Sequence, residues 1–169
     1  MSRFHARSLI CCAAALLFTT ADASEEQFLN GLEGRYVGKG QVRLRTNRQP
    51  INISCTFTST ASAGSLSLKG RCRGLLIVTR AVGVDLKASG GTYRGSYIGA
   101  GSGPASLSGR RQGNSLALTI HWAKPINGDR RASLTVAQAG SRGLTLTTSD
   151  RDPASGKTVV TSRIMLQRQ

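Results

Sequence analysis

Two stretches decide the fold. The first reads Ile51-Asn52-Ile53-Ser54-Cys55-Thr56-Phe57-Thr58, the second Leu66-Ser67-Leu68-Lys69-Gly70-Arg71-Cys72-Arg73. In each, apolar or small residues alternate strictly with polar ones. Period two with one polar side marks a strand whose other side is buried, as in an antiparallel sheet. Ala63-Gly64 between them marks a turn. Cys55 and Cys72 both fall on the apolar parity, so two neighbouring strands would carry them into one core.

The same pattern extends in both directions. Upstream, Tyr36, Gly38, Gly40, Val42 and Leu44 alternate with Arg35, Lys39, Gln41, Arg43 and Arg45. Downstream, Leu75–Thr79 and Val82–Ala88 read as one long or broken strand pair. Gly90-Gly91 turns into Thr92–Ile98, and the loop 99–104 leads to Ala105–Arg111. Further strands centre on Leu116–Trp122, Ala132–Val136, Leu144–Thr148 and Thr158–Leu166, with Asn127-Gly128 a strong hairpin signal. Glycines at apolar-parity positions (Gly38, Gly40, Gly70, Gly95, Gly109) suit bent strands, where a side chain would crowd the interior. The expected architecture is an all-β, antiparallel up-and-down barrel of about eight or nine strands, because closure buries one face and removes edges. A two-sheet β-sandwich is the alternative. A membrane-spanning barrel is disfavoured, since one strand face is rich in Arg, Ser and Thr.

The N-terminus reads as an export signal. Arg3 and Arg7 precede an apolar run from Leu9 to Phe18, and Ala21-Asp22-Ala23 is a small-x-small cleavage pattern. Ten apolar residues are too few for a membrane-spanning helix. Cys11 and Cys12 lie inside that run rather than after it, which excludes lipidation. The expected organisation is a cleavable signal at 1–23, a short helix and lead-in at 24–34, and one barrel domain at 35–169. The capping pattern Ser24-Glu25-Glu26-Gln27 and the stop Asn30-Gly31 place that helix at 24–30. The expected compartment is the periplasm, or the exterior as a secreted protein. There, Cys55 and Cys72 are expected to form a disulfide.

The segment 34–38, Gly34-Arg35-Tyr36-Val37-Gly38, follows a short helix and opens a meander of hairpins. In this it resembles the calycin group of small secreted barrels, the lipocalins and avidin-like proteins, which open with Gly-x-Trp; Tyr36 stands where their Trp would be. The resemblance implies a ligand cavity or binding surface at a barrel mouth. Tyr36, Tyr93, Tyr97 and Trp122 are the candidate aromatics for it.

Charge gives the other functional signal. The chain has 23 Lys and Arg against 8 Asp and Glu; without Arg3, Arg7 and Asp22, 21 and 7 remain. Such a surplus points to anionic partners. Arg43, Arg45, Arg48, Lys69, Arg71 and Arg73 are the candidate binding face, since guanidinium suits phosphate and carboxylate. Arg110, Arg111, Arg130 and Arg131 suggest a second patch. In the envelope the expected partners are anionic lipid, lipopolysaccharide, acidic glycan or cell-wall polymer, with peripheral membrane contact. Few aromatics interleave these arginines, which argues against a specific nucleic-acid partner.

Chemistry finds little support. His121 falls on the polar parity, and no nucleophile elbow marks a serine. Asp150–Gly156 lacks the ligand spacing of a calcium loop, and Gly156-Lys157-Thr158 lacks the first glycine of a phosphate loop. No cofactor or metal is called for. The resulting expectation is a non-enzymatic exported binding protein, recognising an anionic envelope component through an Arg-rich barrel face. A calycin-like carrier of a small apolar ligand and a structural role in envelope integrity are the alternatives.

Overall fold

In the computed structural model, residues 19–75, 78–99, 101 and 103–169 are described. A helix, α1 (Thr19–Asn30), precedes ten strands: β1 (Gly34–Val42), β2 (Ile51–Ser62), β3 (Ser65–Gly74), β4 (Val78–Ser89), β5 (Thr92–Ile98), β6 (Ala105–Gln112), β7 (Ser115–Ile126), β8 (Asp129–Ala139), β9 (Gly143–Arg151) and β10 (Thr158–Arg168). Each strand pairs antiparallel with its sequence neighbour, and β1 pairs with β10 to close the barrel. The up-and-down barrel is therefore as expected, the sandwich is excluded, and the count is ten rather than eight or nine. Of the two forms expected for Leu75–Thr79 and Val82–Ala88, one long strand or a broken pair, the long strand is found: β4 runs unbroken from Val78 to Ser89 against both β3 and β5. Its small residues Ala81 and Gly83 interrupt the alternation without breaking the ladder.

Alternation decides which side each residue faces. Cys55, Phe57, Leu66, Leu68, Val84, Leu86, Leu116, Leu118, Ile120, Leu134, Val136, Leu144, Leu146, Ile164 and Leu166 are buried inside. Their neighbours in sequence form a polar wall. This is the reverse of a membrane-spanning barrel, whose apolar band faces out. Cys55 and Cys72 stand directly opposite each other in the β2–β3 ladder and are joined by a disulfide.

The inward glycines explain the curvature. A Cβ on Gly38, Gly40, Gly95 or Gly109 would run into a backbone carbonyl of the next strand, and one on Gly70 into Phe57 and the Thr56 carbonyl. Neighbouring strands coil so tightly there that only hydrogen fits.

Strand direction defines two ends. The turns 63–64, 90–91, 113–114 and 140–142 lie at one end, together with α1. Residues 43–50, 75, 99, 101, 103–104, 127–128 and 152–157 lie at the other. Helix α1 plugs the first end with Phe28 and Leu29, and Leu32 follows them into the core. It covers the expected 24–30 and continues back to Thr19, since Ala21 to Ala23 are compatible with helix. Arg111 donates to the Ser24 carbonyl, pairs with Glu25 at 3.6 Å and stacks 4.1 Å above the Phe28 ring. The expected signal at 1–23 lies mostly outside the described residues.

Candidate functional site

The outer wall of β1–β3 carries a basic surface built by register. Directly opposed residues give three rows across the strands: Arg35–Thr58–Lys69, Val37–Thr56–Arg71 and Lys39–Ser54–Arg73. Two strand spacings, about 10 Å, separate the outer members of each row. Thr and Ser in the middle strand leave the cations unshielded by bulk. Lys69 reaches Asp85 of β4 at 3.8 Å, an exposed pair worth under about 1 kcal/mol. Among the described residues Arg35, Lys39, Arg71 and Arg73 have no salt bridge. Arg35, Val37, Thr56, Thr58, Lys69 and Arg71 line a shallow groove on this wall.

Lys69, Arg71 and Arg73 thus fall together on one strand face, as the alternation predicts. Arg43 and Arg45 do not share it. The strand ends at Val42, and residues 43–50 form a loop at the open end. The physical reason is an anchor further along that loop. Thr46 is buried; its N–H donates to the Asn127 side chain at 3.3 Å and its hydroxyl to Asp152 at 2.8 Å. This pulls the chain away from the ladder, although the Arg43 N–H still bonds the Thr161 carbonyl of β10. Arg43 in turn donates to the Arg48 carbonyl at 2.6 Å, which folds the loop on itself. Arg35 and Lys39 take the places in the rows that the sequence reading gave to Arg43 and Arg45. Their parity was visible in the sequence; the end of the strand was not.

The second arginine patch does not exist as one surface. Arg111 grips α1 at the closed end, whereas Arg130 lies at the open end and donates to the Trp122 and Ala123 carbonyls.

The four aromatics are all interior, but they divide between the two ends. Tyr36 and Tyr93 belong to the closed end. The Tyr36 hydroxyl donates to the Leu32 carbonyl at 3.0 Å and accepts from Arg168 at 2.9 Å, and Tyr93 is hydrogen-bonded to Glu25. These two tie the helix and the last strand together. Tyr97 and Trp122 pack edge to face at 5.7 Å nearer the open end. Around them the interior turns small and polar: Ala105, Ala132, Thr148, Thr161 and the disulfide.

Asp150 is buried there. Burial raises its carboxyl above the usual carboxylate range; the Asn127 amide and the Trp122 indole oppose the rise, and Asp129 adds to it. Asn127 donates to one carboxylate oxygen at 3.0 Å. The other oxygen and the Trp122 Nε1 lack a well-aligned partner, although the indole is near enough to stabilise the charge. Burial likewise pushes the Tyr97 phenol up to about 12, with Thr148 opposing and the Asp150 charge adding. Asp152 behaves oppositely. Half-buried and accepting from Ser155 and Thr46, its carboxyl is held below the ordinary range.

His121 faces outward between Ser106 and Arg131. Among the described residues no hydrogen bond involves its ring, and Asp85, Asp129 and Asp150 are engaged elsewhere. No cluster of metal-ligating side chains occurs among the described residues. The segment 150–156 is the end of β9 and a hairpin turn, with Asp152 accepting from the Ser155 N–H at 2.9 Å.

No family model matches the chain, and no curated protein matches it by sequence. Solved structures do match in shape. Rv2717c from M. tuberculosis superposes with a TM-score of 0.67 at 15% identity, covering 86% of this chain and 97% of that one. The S-type phycobiliprotein lyase CPES from Guillardia theta superposes with a TM-score of 0.57 at 9% identity, covering 88% and 97%. At such identities the likeness establishes a shared small-barrel fold.

Proposed function

We propose that this is an exported, non-enzymatic binding barrel that recognises an anionic envelope component through the basic wall of β1–β3. The observation that carries the reading is the set of opposed rows: Arg35, Lys39, Lys69, Arg71 and Arg73 face one side, and among the described residues only Lys69 of these has an acidic partner. A surface charged this way attracts phosphate or carboxylate groups spaced along a polymer or a headgroup layer. Export is supported by the signal-like residues 1–23 and by the Cys55–Cys72 disulfide, which is at home in an oxidising compartment. The compartment proposed is the periplasm, with secretion as the alternative. The calycin-like barrel form is consistent with a binding role.

The test is retention on immobilised heparin, a soluble-type polyanion, over a salt series. Retention should fall steeply as salt shortens the screening length, and Lys69→Gln with Arg71→Gln and Arg73→Gln should weaken it by about tenfold or more, since charge-assisted contacts are lost. Indifference to the polyanion at low salt would end this reading.

A second reading rests on Trp122 and Asp150. A buried donor and a buried acceptor without aligned partners, beside the small residues of the open half, suit a small ligand with an apolar body and one polar end. Binding of such a molecule should shift Trp122 fluorescence, and Asp150→Asn should abolish the shift. Gently purified protein that carries no small molecule in native mass spectrometry, and whose fluorescence no ligand alters, would remove it.

A further inference from the structure

The exposed apolar residues are not scattered. Seven large hydrophobic side chains stand exposed among the described residues, and five of them lie toward the open end: Leu44, Leu75, Val78, Ile98 and Val160. They belong to one arc of consecutive strands. Val160 is on β10, Leu44 follows β1, Leu75 and Val78 flank the tip of the β3–β4 hairpin, and Ile98 ends β5. The strands β6–β9 contribute none. The other two, Val37 and Met165, sit on the β1 and β10 wall of the same arc.

Two positions are held out by their surroundings. Thr46 is the inward anchor of the 43–50 loop, so Leu44 two residues earlier is left 70% exposed. Leu75 is 62% exposed and takes a φ of 49°, a left-handed conformation that a glycine would adopt more cheaply. A leucine kept in solvent at such a position gains nothing from the barrel itself. The β3–β4 hairpin also projects: Gly83 pairs with Ile98, the end of β5, so Val78–Val82 extend beyond that neighbour.

Cations interleave with these tips. Arg45 and Arg48 stand exposed beside Leu44, lining with it and Ile51 a groove along the loop. Arg73 and Arg80 flank Leu75 and Val78 on the projecting hairpin. The carboxylates of the open end are engaged. Asp150 is buried, Asp152 holds Thr46 and Ser155, and Asp129 accepts from the Arg131 N–H.

From this arrangement we infer that the open end, over the arc β10–β1–β2–β3–β4–β5, is a docking surface for an anionic lipid bilayer. The apolar tips enter the headgroup boundary and the arginines meet lipid phosphates. Apolar area plus basic charge is what holds a protein at such an interface. The polar wall keeps the barrel lying on the membrane rather than in it. The inference rests on the proposed anion-binding role and specifies which anionic surface is met and by which end.

The experiment compares wild type and one double variant on two probes. The purified protein is sedimented with phosphatidylcholine vesicles containing or lacking phosphatidylglycerol, and is separately bound to heparin. Leu44→Ser with Leu75→Ser, which leaves every charge in place, should lower partition onto the anionic vesicles by about tenfold or more, because the buried apolar area is lost. Its heparin binding should be unchanged. Wild-type partition should resist salt better than heparin binding does, since the apolar part is not screened. Equal vesicle binding by the variant and wild type would overturn the inference and leave the anion-binding role standing. So would wild-type protein that binds heparin and ignores the anionic vesicles. Failure on heparin as well would remove both. Circular dichroism and thermal melting of the variant keep the comparison to folded protein.

Discussion

The two ends of the barrel are built on different terms. The closed end is filled by large apolar side chains: Tyr36, Phe57, Leu68, Tyr93, Leu116, Leu144 and Leu166, with Phe28, Leu29 and Leu32 driven in from below. Its polar ties set Tyr36 between Leu32 and Arg168 and Glu25 between Tyr93 and Arg111, and the Ser59 hydroxyl alone is buried there without a partner among the described residues. The open end has small interior residues, a buried carboxylate with one unaligned oxygen, and leucines in solvent. Large apolar packing is concentrated at one end, and the unaligned Asp150 oxygen and Trp122 indole lie at the other. A protein whose binding surface lies at one end is expected to distribute them in this way, because interaction sites keep features that folding alone would remove.

Four substitutions would break or sharpen that contrast. The largest effect is expected at the plug. Phe28→Ala removes a buried ring and the stacking of Arg111, at about 3–5 kcal/mol, and chemical denaturation would measure it. Next is the middle of the barrel. Replacing both Cys55 and Cys72 by Ala opens a bridge of sequence separation 17, which costs about 3 kcal/mol. A melting temperature lowered by roughly 10 °C would report it. Smaller again is Tyr36→Phe, which leaves the packing and removes one hydroxyl between Leu32 and Arg168, for about 1 kcal/mol. If Tyr36→Phe cost as much as Phe28→Ala, the closed end would depend on its polar ties rather than on its packing.

The last prediction concerns a sign. The folded-state pKa of Asp150 is raised, so the folded protein holds that proton more tightly than the unfolded chain. Its ionisation therefore opposes folding as pH rises above the ordinary carboxylate range, and the penalty vanishes on acidification. Asp150→Asn is expected to be more stable than wild type at neutral pH, with the difference closing in acid. Melting both proteins across a pH series checks it. A variant less stable at neutral pH would show that the charge is used by the fold.

The sequence made the barrel legible because period two is enforced by burial on a closed surface. The Cys55–Cys72 bridge and the five crowded glycines were readable for the same reason: each sits on the inner parity. The basic wall was readable only in part. Lys69, Arg71 and Arg73 lie within an uninterrupted strand, so parity alone places them. Arg43 and Arg45 follow the same alternation beyond the strand's end, where the chain is turned by Thr46 bonding to Asn127 and Asp152, residues 81 and 106 positions away. The aromatics were readable in part for a related reason. Parity shows that Tyr36, Tyr93, Tyr97 and Trp122 face inward, and it does not show at which height; that follows from strand direction and register. The exposed leucines were hidden altogether, since Leu44 reads as one more apolar residue of its strand.

Because β1 pairs with β10, the first strand of this protein must wait for its last. The ladder that joins Tyr36 to Arg168 spans nearly the whole barrel sequence, and contacts so distant along the chain form slowly. Until the final strand arrives, β1 and β9 each present an unpaired edge, and the helix plug has no complete floor to rest on. Under the export proposed above, the barrel would close only after its last strand had crossed.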